Sequence, residues 1–237
     1  VPPNEALDID TRADLEAARL AVGRRHIHIR VNVGPGLGHL HRVCALVEHL
    51  DHDLTFSFWR DGRLCDPPEW AADRLSPFVA PRLDEGDLVL SDTLWAPAAD
   101  VHRRKAMGAR WVALEDRGPG SDVADLVINE LYEDRRANAV CGPRWAVLRP
   151  EFVGLPPRSE HAMGVNVLVS FGGNDEHSLR GWAAGQLSEF KVSHPDDYGS
   201  MAEAMVDADV FVGSCGRSVN EAAAVGVPTV AIAANHR

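Results

Sequence analysis

A strand-like run, His26-Ile27-His28-Ile29-Arg30-Val31-Asn32-Val33, passes through Gly34-Pro35-Gly36-Leu37-Gly38 straight into a helical pattern. In residues 39–50, Leu40, Val43, Val47 and Leu50 return at the three- and four-residue spacing of a single helix face. A strand that enters a helix through glycines is the opening unit of a parallel α/β sheet. The glycines let backbone approach a ligand. The helix start offers unpaired N–H groups at the positive end of its dipole. His39, at the first helical position, adds a group that moves a proton near neutral pH. The stretch reads as a site for an anionic ligand with chemistry attached.

The same alternation continues along the chain. Strands are expected at 54–59, 87–91, 110–114 and 124–128, and helices at 67–75 and 97–107. Ahead of them, residues 7–22 read as an amphipathic helix, with Thr11 and Asp14 placed as a capping box and Leu15, Ala18 and Val22 on one face. A Pro/Gly-rich break covers 149–164. Beyond it come strand 165–170, helices 175–187 and 199–207, strand 209–212, helix 218–225 and strand 228–233. The expected fold class is therefore α/β, with two Rossmann-like domains around a cleft. Their expected limits are 24–153 and 154–237, with 1–23 as a separate leading helix. The second unit is short against the ~150 residues common for a domain.

Charge and composition narrow the function. Net charge is -11 and the basic residues form no long run, which argues against capture of nucleic acid. No apolar run has the length of a membrane span, and the opening residues do not read as a secretory leader, so no membrane partner and a cytoplasmic location are expected. Cys44, Cys65, Cys141 and Cys215 are scattered without C-x-x-C spacing, so neither a zinc site nor a disulfide framework is expected. His26 and His28 share a strand face, where hydrogen bonding is the expected role and metal binding the lesser one. Neither a metal nor a cofactor is expected.

Three glycine-containing loops follow strands: 34–38, Ser170-Phe171-Gly172-Gly173-Asn174-Asp175, and Gly213-Ser214-Cys215-Gly216-Arg217-Ser218. Ligands of open parallel sheets lie beyond the carboxyl ends of the strands, so two facing domains would bring these loops to one cleft. None of the loops matches a full dinucleotide or Walker pattern, and each is also explained as a tight turn. Within this frame His39 is the candidate for proton transfer. Asn32, Gly36, Gly38, Arg42 and Asp92 are candidates for the sugar-like side of a ligand. Gly172, Gly173, Asn174, Gly213, Ser214, Gly216, Ser218, Glu221 and Asn235 are candidates for the nucleotide side. Glu221 has two readings: a capping-box partner of Ser218, which local sequence favours, or an acceptor for ribose hydroxyls. Asp92 and, more weakly, Asp116 follow apolar strands, where caps and site carboxylates both occur.

Three segments together resemble a known family. Gly36-Leu37-Gly38-His39-Leu40-His41-Arg42, the run Gly142-Pro143-Arg144-Trp145-Ala146-Val147-Leu148-Arg149-Pro150-Glu151-Phe152, and Ser170 to Asp175 are similar to the UDP-sugar hydrolases of pseudaminic acid biosynthesis, the PseG family. Gly226-Val227-Pro228-Thr229 and Asn235 fit as well. The resemblance covers roughly 26–237, and 142–152 is its most specific part. It implies a GT-B-like pair of domains that hydrolyse a UDP-linked 2,4-diacetamido-trideoxy sugar to free sugar and UDP. His39 matches the histidine that activates water in that family, while the loops at 172–175 and 213–218, with Glu221, match its nucleotide-binding half. The chain departs from the family at Arg30-Val31-Asn32, where an Arg-x-Asp is usual, and near Phe190–Lys191, where a further strand and helix are usual.

Residues 5–16 resemble the last helix of acylneuraminate cytidylyltransferases, with Asp8 and Asp10 at that family's magnesium-associated positions. The two resemblances together imply the C-terminal part of a bifunctional enzyme of nonulosonic acid synthesis, covalently joined to a cytidylyltransferase domain. Two other functions fit the same residues. One is a GT-B glycosyltransferase using a nucleotide sugar. The other is a non-catalytic nucleotide-sugar binding or docking module.

Overall fold

The computed structural model describes residues 25–34, 37–78, 87–155, 165–172, 175 and 178–233. The expected helix at 7–22, and the candidates Gly36, Gly173, Asn174 and Asn235, lie outside these residues.

The chain builds two sheets. The first has seven strands in the order β3-β2-β1-β4-β5-β6-β7. These are β1 His26–Asn32, β2 Asp53–Arg60, β3 Arg63–Cys65, β4 Leu88–Asp92, β5 Arg110–Leu114, β6 Leu126–Asn129 and β7 Ala139–Cys141. All neighbours pair in parallel except β2 and β3. The second sheet is fully parallel, in the order β11-β10-β8-β9: β8 Asn166–Ser170, β9 Lys191–Ser193, β10 Val210–Ser214 and β11 Thr229–Ile232. The helices among the described residues are α1 Gly38–Val47, α2 Glu69–Leu75, α3 Ala98–Ala106, α4 Pro119–Asp122, α5 Leu179–Gln186, α6 Met201–Asp207 and α7 Ser218–Val225. None of them is long and apolar enough to cross a membrane.

Strand order decides where a ligand can sit. In the first sheet the chain leaves β1 toward β2 and later returns to β4 on the other side of β1. In the second it leaves β8 toward β9 and returns to β10. Each reversal opens a crevice at the carboxyl ends of the two diverging strands. The loops after β1, β4, β8 and β10 therefore occupy the places where an α/β sheet can hold a ligand.

Alternation along β1 separates two packing environments. Ile27, Ile29, Val31 and Val33 are buried together with Leu40, Val43 and Val47 of α1 and Leu75 of α2. The opposite face is polar, and its histidines bond to neighbouring hydroxyls. His26 Nε2 and His28 Nδ1 lie 3.1 and 3.0 Å from Thr55 Oγ1, and His28 Nε2 lies 2.9 Å from Ser57 Oγ. The hydrogen-bonded reading of this face is the observed one. Arg30 lies between the Trp59 and Trp111 rings, 4.5 and 5.2 Å from their centroids, and pairs with Asp100 of α3 at 3.3 Å.

Four short elements escaped the periodicity reading. β3 closes a hairpin with β2 through Asp61 and Gly62, both at positive φ (50° and 74°). That is the Asp-Gly signal of a tight hairpin turn, and it stands in the sequence. β7, β9 and α4 have only three or four residues each, too few for a period to register. Phe152 is buried in the second unit's core with Leu168, Met205 and Phe211, and Leu148 and Leu155 pack on the same cluster.

His28 makes the fold acid-sensitive. Burial, then Arg104, Arg30 and His26, lower its pKa from 6.5 to about 4. The unfolded chain takes up this proton near pH 6.5 and the folded chain resists until about pH 4, so stability falls as pH drops through that window. Replacing His28 with Gln is expected to flatten this slope, by at most ~3 kcal/mol at the acid end. Urea unfolding of both proteins between pH 7 and 4 measures it; parallel stability curves would refute the role.

Candidate active site

Three adjacent strands of the first sheet each deliver a carboxyl at their carboxyl ends. Asp92 closes β4, Glu115 follows β5 and Glu130 follows β6. All three are buried, as is Arg42 of α1, which spans them. Arg42 Nε donates to Asp92 Oδ2 at 2.8 Å, and its Nη1 lies 3.1 Å from both Glu115 Oε2 and Glu130 Oε1. Burial alone raises the Asp92 pKa, but the charges and hydrogen bonds of Arg42 and His39 outweigh it and hold the carboxyl well below its usual range. Burial likewise works against the Arg42 charge, and Asp92, Glu115 and Glu130 more than restore it. Glu115 moves the other way: burial, helped by Glu130 and Asp92 against the pull of Arg42, raises its pKa.

His39 stands at the rim of this cluster. Its Nδ1 is 2.6 Å from Asp92 Oδ1. A lone pair on Nδ1 would face the carboxylate oxygen at that distance, so Nδ1 carries the proton and donates it. No described residue bonds to Nε2, on the other side of the ring. An imidazole held by a buried carboxylate, with its other nitrogen available, is arranged to accept a proton from a bound group. The sequence places the histidine at the first turn of α1, and the side-chain cap of that turn is absent.

The second unit faces this arrangement. A cleft of about 770 Å³ is lined on one side by Gly38, His39, Arg42 and Trp95, and on the other by Ser214 and Gly216. Arg217 crosses between the units: its Nη2 donates to the Val147 carbonyl at 2.6 Å, and its Nη1 is 3.5 Å from Glu130 Oε1. A methyl group added at Gly38 would sit 3.7 Å from Arg217 Cδ, which shows how near the starts of α1 and α7 come. Neither helix start has a side-chain cap. At α7 the Val219, Asn220 and Glu221 N–H groups are bonded to the carbonyls of Gly216 and Arg217, whereas α1 brings its first turn, with Gly38 and His39, to the cleft.

The structure sorts the sequence candidates. His39, Gly38, Arg42, Asp92, Ser214 and Gly216 come together at or directly behind the cleft. Asn32 does not: its Oδ1 accepts the Gly34 N–H at 2.9 Å and shapes the loop. Gly172, at φ +81°, makes the turn after β8 and does not line the cleft. Gly213 serves strand packing, since a Cβ there would come within 2.4 Å of the Ser170 carbonyl oxygen. Ser218 opens α7 without lining the cleft or capping the helix. The capping reading of Glu221 needs correction. It reaches back to no cap, because its Oε1 and Oε2 receive Arg149 Nε and Nη2 at 2.7 and 2.8 Å. A ribose would have to displace that bidentate pair. Asp116 accepts the Ala96 and Gly118 N–H groups and holds two loops together rather than facing the cleft.

Glu115, Glu130 and Trp95 were not singled out from the sequence. Glu115 and Glu130 carry the same signal as Asp92, a carboxyl directly after an apolar strand. Only the sheet order shows that these three strand ends are neighbours.

No family model matches the chain, and no curated protein is significantly similar to it. Among solved structures it is similar to MurG of Acinetobacter baumannii, a GT-B glycosyltransferase, with TM-score 0.53 and 11% identity over 90% of this chain and 80% of that one. The fold is GT-B. Identity this low carries the architecture and no more.

Arg42 is expected to be essential for stability. Arg42→Met leaves three buried carboxyls without their cation, a loss of about 3–5 kcal/mol at neutral pH. The carboxyls then hold protons more readily folded than unfolded, so the deficit of this variant against wild type should shrink as pH is lowered from 7 toward 5. Denaturant midpoints across that range check both the loss and the sign.

Proposed function

We propose that the chain is a nucleotide-sugar enzyme that hydrolyses a UDP-linked 2,4-diacetamido-trideoxy sugar in nonulosonic acid synthesis. The observation that carries this reading is the His39–Asp92 pair at the mouth of an inter-domain cleft, with Nε2 of His39 unbonded on that side. The chemistry needs little else. His39 Nε2 takes a proton from water as the water oxygen bonds to the anomeric carbon. The bond from that carbon to the phosphate oxygen breaks, and its electron pair leaves with UDP. Asp92 stabilises the imidazolium that forms. The start of α1, at the positive end of its dipole and lining the cleft, suits the charge left on the diphosphate. The segments that resemble the pseudaminic acid hydrolases contribute His39 and Arg42, and Val147, whose carbonyl accepts from Arg217.

A second reading, transfer of the sugar to an acceptor hydroxyl, is favoured by the likeness to the glycosyltransferase MurG. In that reading His39 deprotonates the acceptor instead of water.

The test is UDP release from the diacetamido sugar nucleotide. His39→Ala is expected to lower turnover a hundredfold or more, about the contribution of a placed general base, while UDP affinity changes little. Equal turnover in both proteins removes His39 as the base. Sugar transfer to an added acceptor without hydrolysis selects the transferase, and UDP binding without turnover selects a non-catalytic module.

A further inference from the structure

Glu115 is held in a conformation that ordinary packing does not ask for. It follows β5 with φ +52°, a left-handed backbone rarely adopted by a side chain of this size. Two bonds enforce it: the Glu115 N–H donates to the Ile128 carbonyl at 2.9 Å, and the Tyr132 hydroxyl donates to the Glu115 carbonyl at 3.0 Å. Its neighbour Asp116 is spent on backbone N–H groups, while Glu115 is turned to the cleft it lines. The side chain is only 7% exposed. Oε2 pairs with Arg42, but Oε1 is buried with no hydrogen-bond partner.

An unsatisfied buried carboxyl oxygen costs about 1–3 kcal/mol, and strain of this kind persists where the surroundings over-determine it and function uses it. The opposite wall has the complementary vacancy. Arg217 Nη1 is also buried without a hydrogen-bond partner, with Glu130 Oε1 at 3.5 Å. The charged groups around Glu115 are Arg42, Glu130, Asp92 and Arg217, one set from the first unit and one residue from the second. A group entering the cleft therefore comes up against Glu115, whose Oε1 has no hydrogen-bond partner, and Arg217, whose Nη1 has only its 3.5 Å ion pair with Glu130.

The geometry points to Glu115 as a sugar-binding residue: its Oε1 exchanges a hydrogen bond with a hydroxyl or amide group on the sugar half of the bound nucleotide sugar, opposite Arg217. This inference rests on the reading of the cleft as a nucleotide-sugar site and adds the residue that recognises the sugar. Oε1 is available to accept a hydroxyl or amide N–H. Glu115 does not touch the departing phosphate in this scheme, so its loss should weaken the sugar's contribution and spare that of UDP.

Calorimetry separates these contributions. Wild type, Glu115→Gln and Glu115→Leu would be titrated with UDP and with UDP-glucose, UDP-galactose and UDP-N-acetylglucosamine. Thermal melts confirm that each variant is folded. The expected result is UDP affinity within about twofold across all three proteins. The tightest UDP-sugar should be weakened about tenfold by Leu, roughly the 1.4 kcal/mol of one such bond, and less by Gln, which keeps a donor and an acceptor. Equal UDP-sugar affinity in wild type and Glu115→Leu, or a UDP-sugar no tighter than UDP in wild type, overturns the role of Glu115 and leaves the site reading standing. A parallel loss of UDP affinity overturns it too, because it assigns Glu115 to the architecture. Failure of wild type to bind UDP or any UDP-sugar overturns the nucleotide-sugar reading, and this inference with it.

Discussion

Everything around the cleft depends on one buried cation. Arg42 sits on α1 and reaches the ends of β4, β5 and β6 through Asp92, Glu115 and Glu130. Without it, three carboxyls would be confined at the carboxyl edge of one sheet. With it, Asp92 stays ionised and fixes His39, and Glu115 and Glu130 have a cation to pair with. A buried ion pair is weak ground for stability as such. Here its consequence is positional: it sets which face of the imidazole meets Asp92 and which is left to the cleft.

The second unit is tied to the same cluster through the segment around Val147. The Val147 N–H donates to Glu130 Oε2 at 3.2 Å, and its carbonyl accepts from Arg217. Two residues on, Arg149 is locked to Glu221 of α7, and Phe152 enters the second core. One short stretch of chain thus links the carboxyl cluster, the loop after β10 and the second hydrophobic core. A change in the spacing of the two units would have to break or slide these contacts, which places any hinge of the cleft in this stretch.

Much of the fold was legible because it rests on local periodicity. Ile27, Ile29 and Val31 on β1, and Leu40, Val43 and Val47 on α1, are buried as their spacing requires. The loops at 34–38 and 213–218 could be placed on one cleft because glycines after strands mark where parallel sheets open. The site was only partly legible. His39, Arg42 and Asp92 were visible as single residues near strand ends, but the sequence could not show that Glu221 pairs with Arg149 or that Asn32 holds the Gly34 N–H. A carboxylate's partner is a matter of three-dimensional neighbours, and no local pattern encodes that.

The sequence by itself determined the α/β class, the two-unit organisation and the helix start that carries His39, since each follows from apolar spacing and glycine placement along a few residues. Tertiary structure alone decided that Asp92, Glu115 and Glu130 share one guanidinium, because those residues are brought together by strand order rather than by distance along the chain. It also decided that Glu115 rather than Asp116 looks into the cleft. Backbone bonds to Ile128 and Tyr132 hold the turn after β5, and that turn aims neighbouring side chains in different directions.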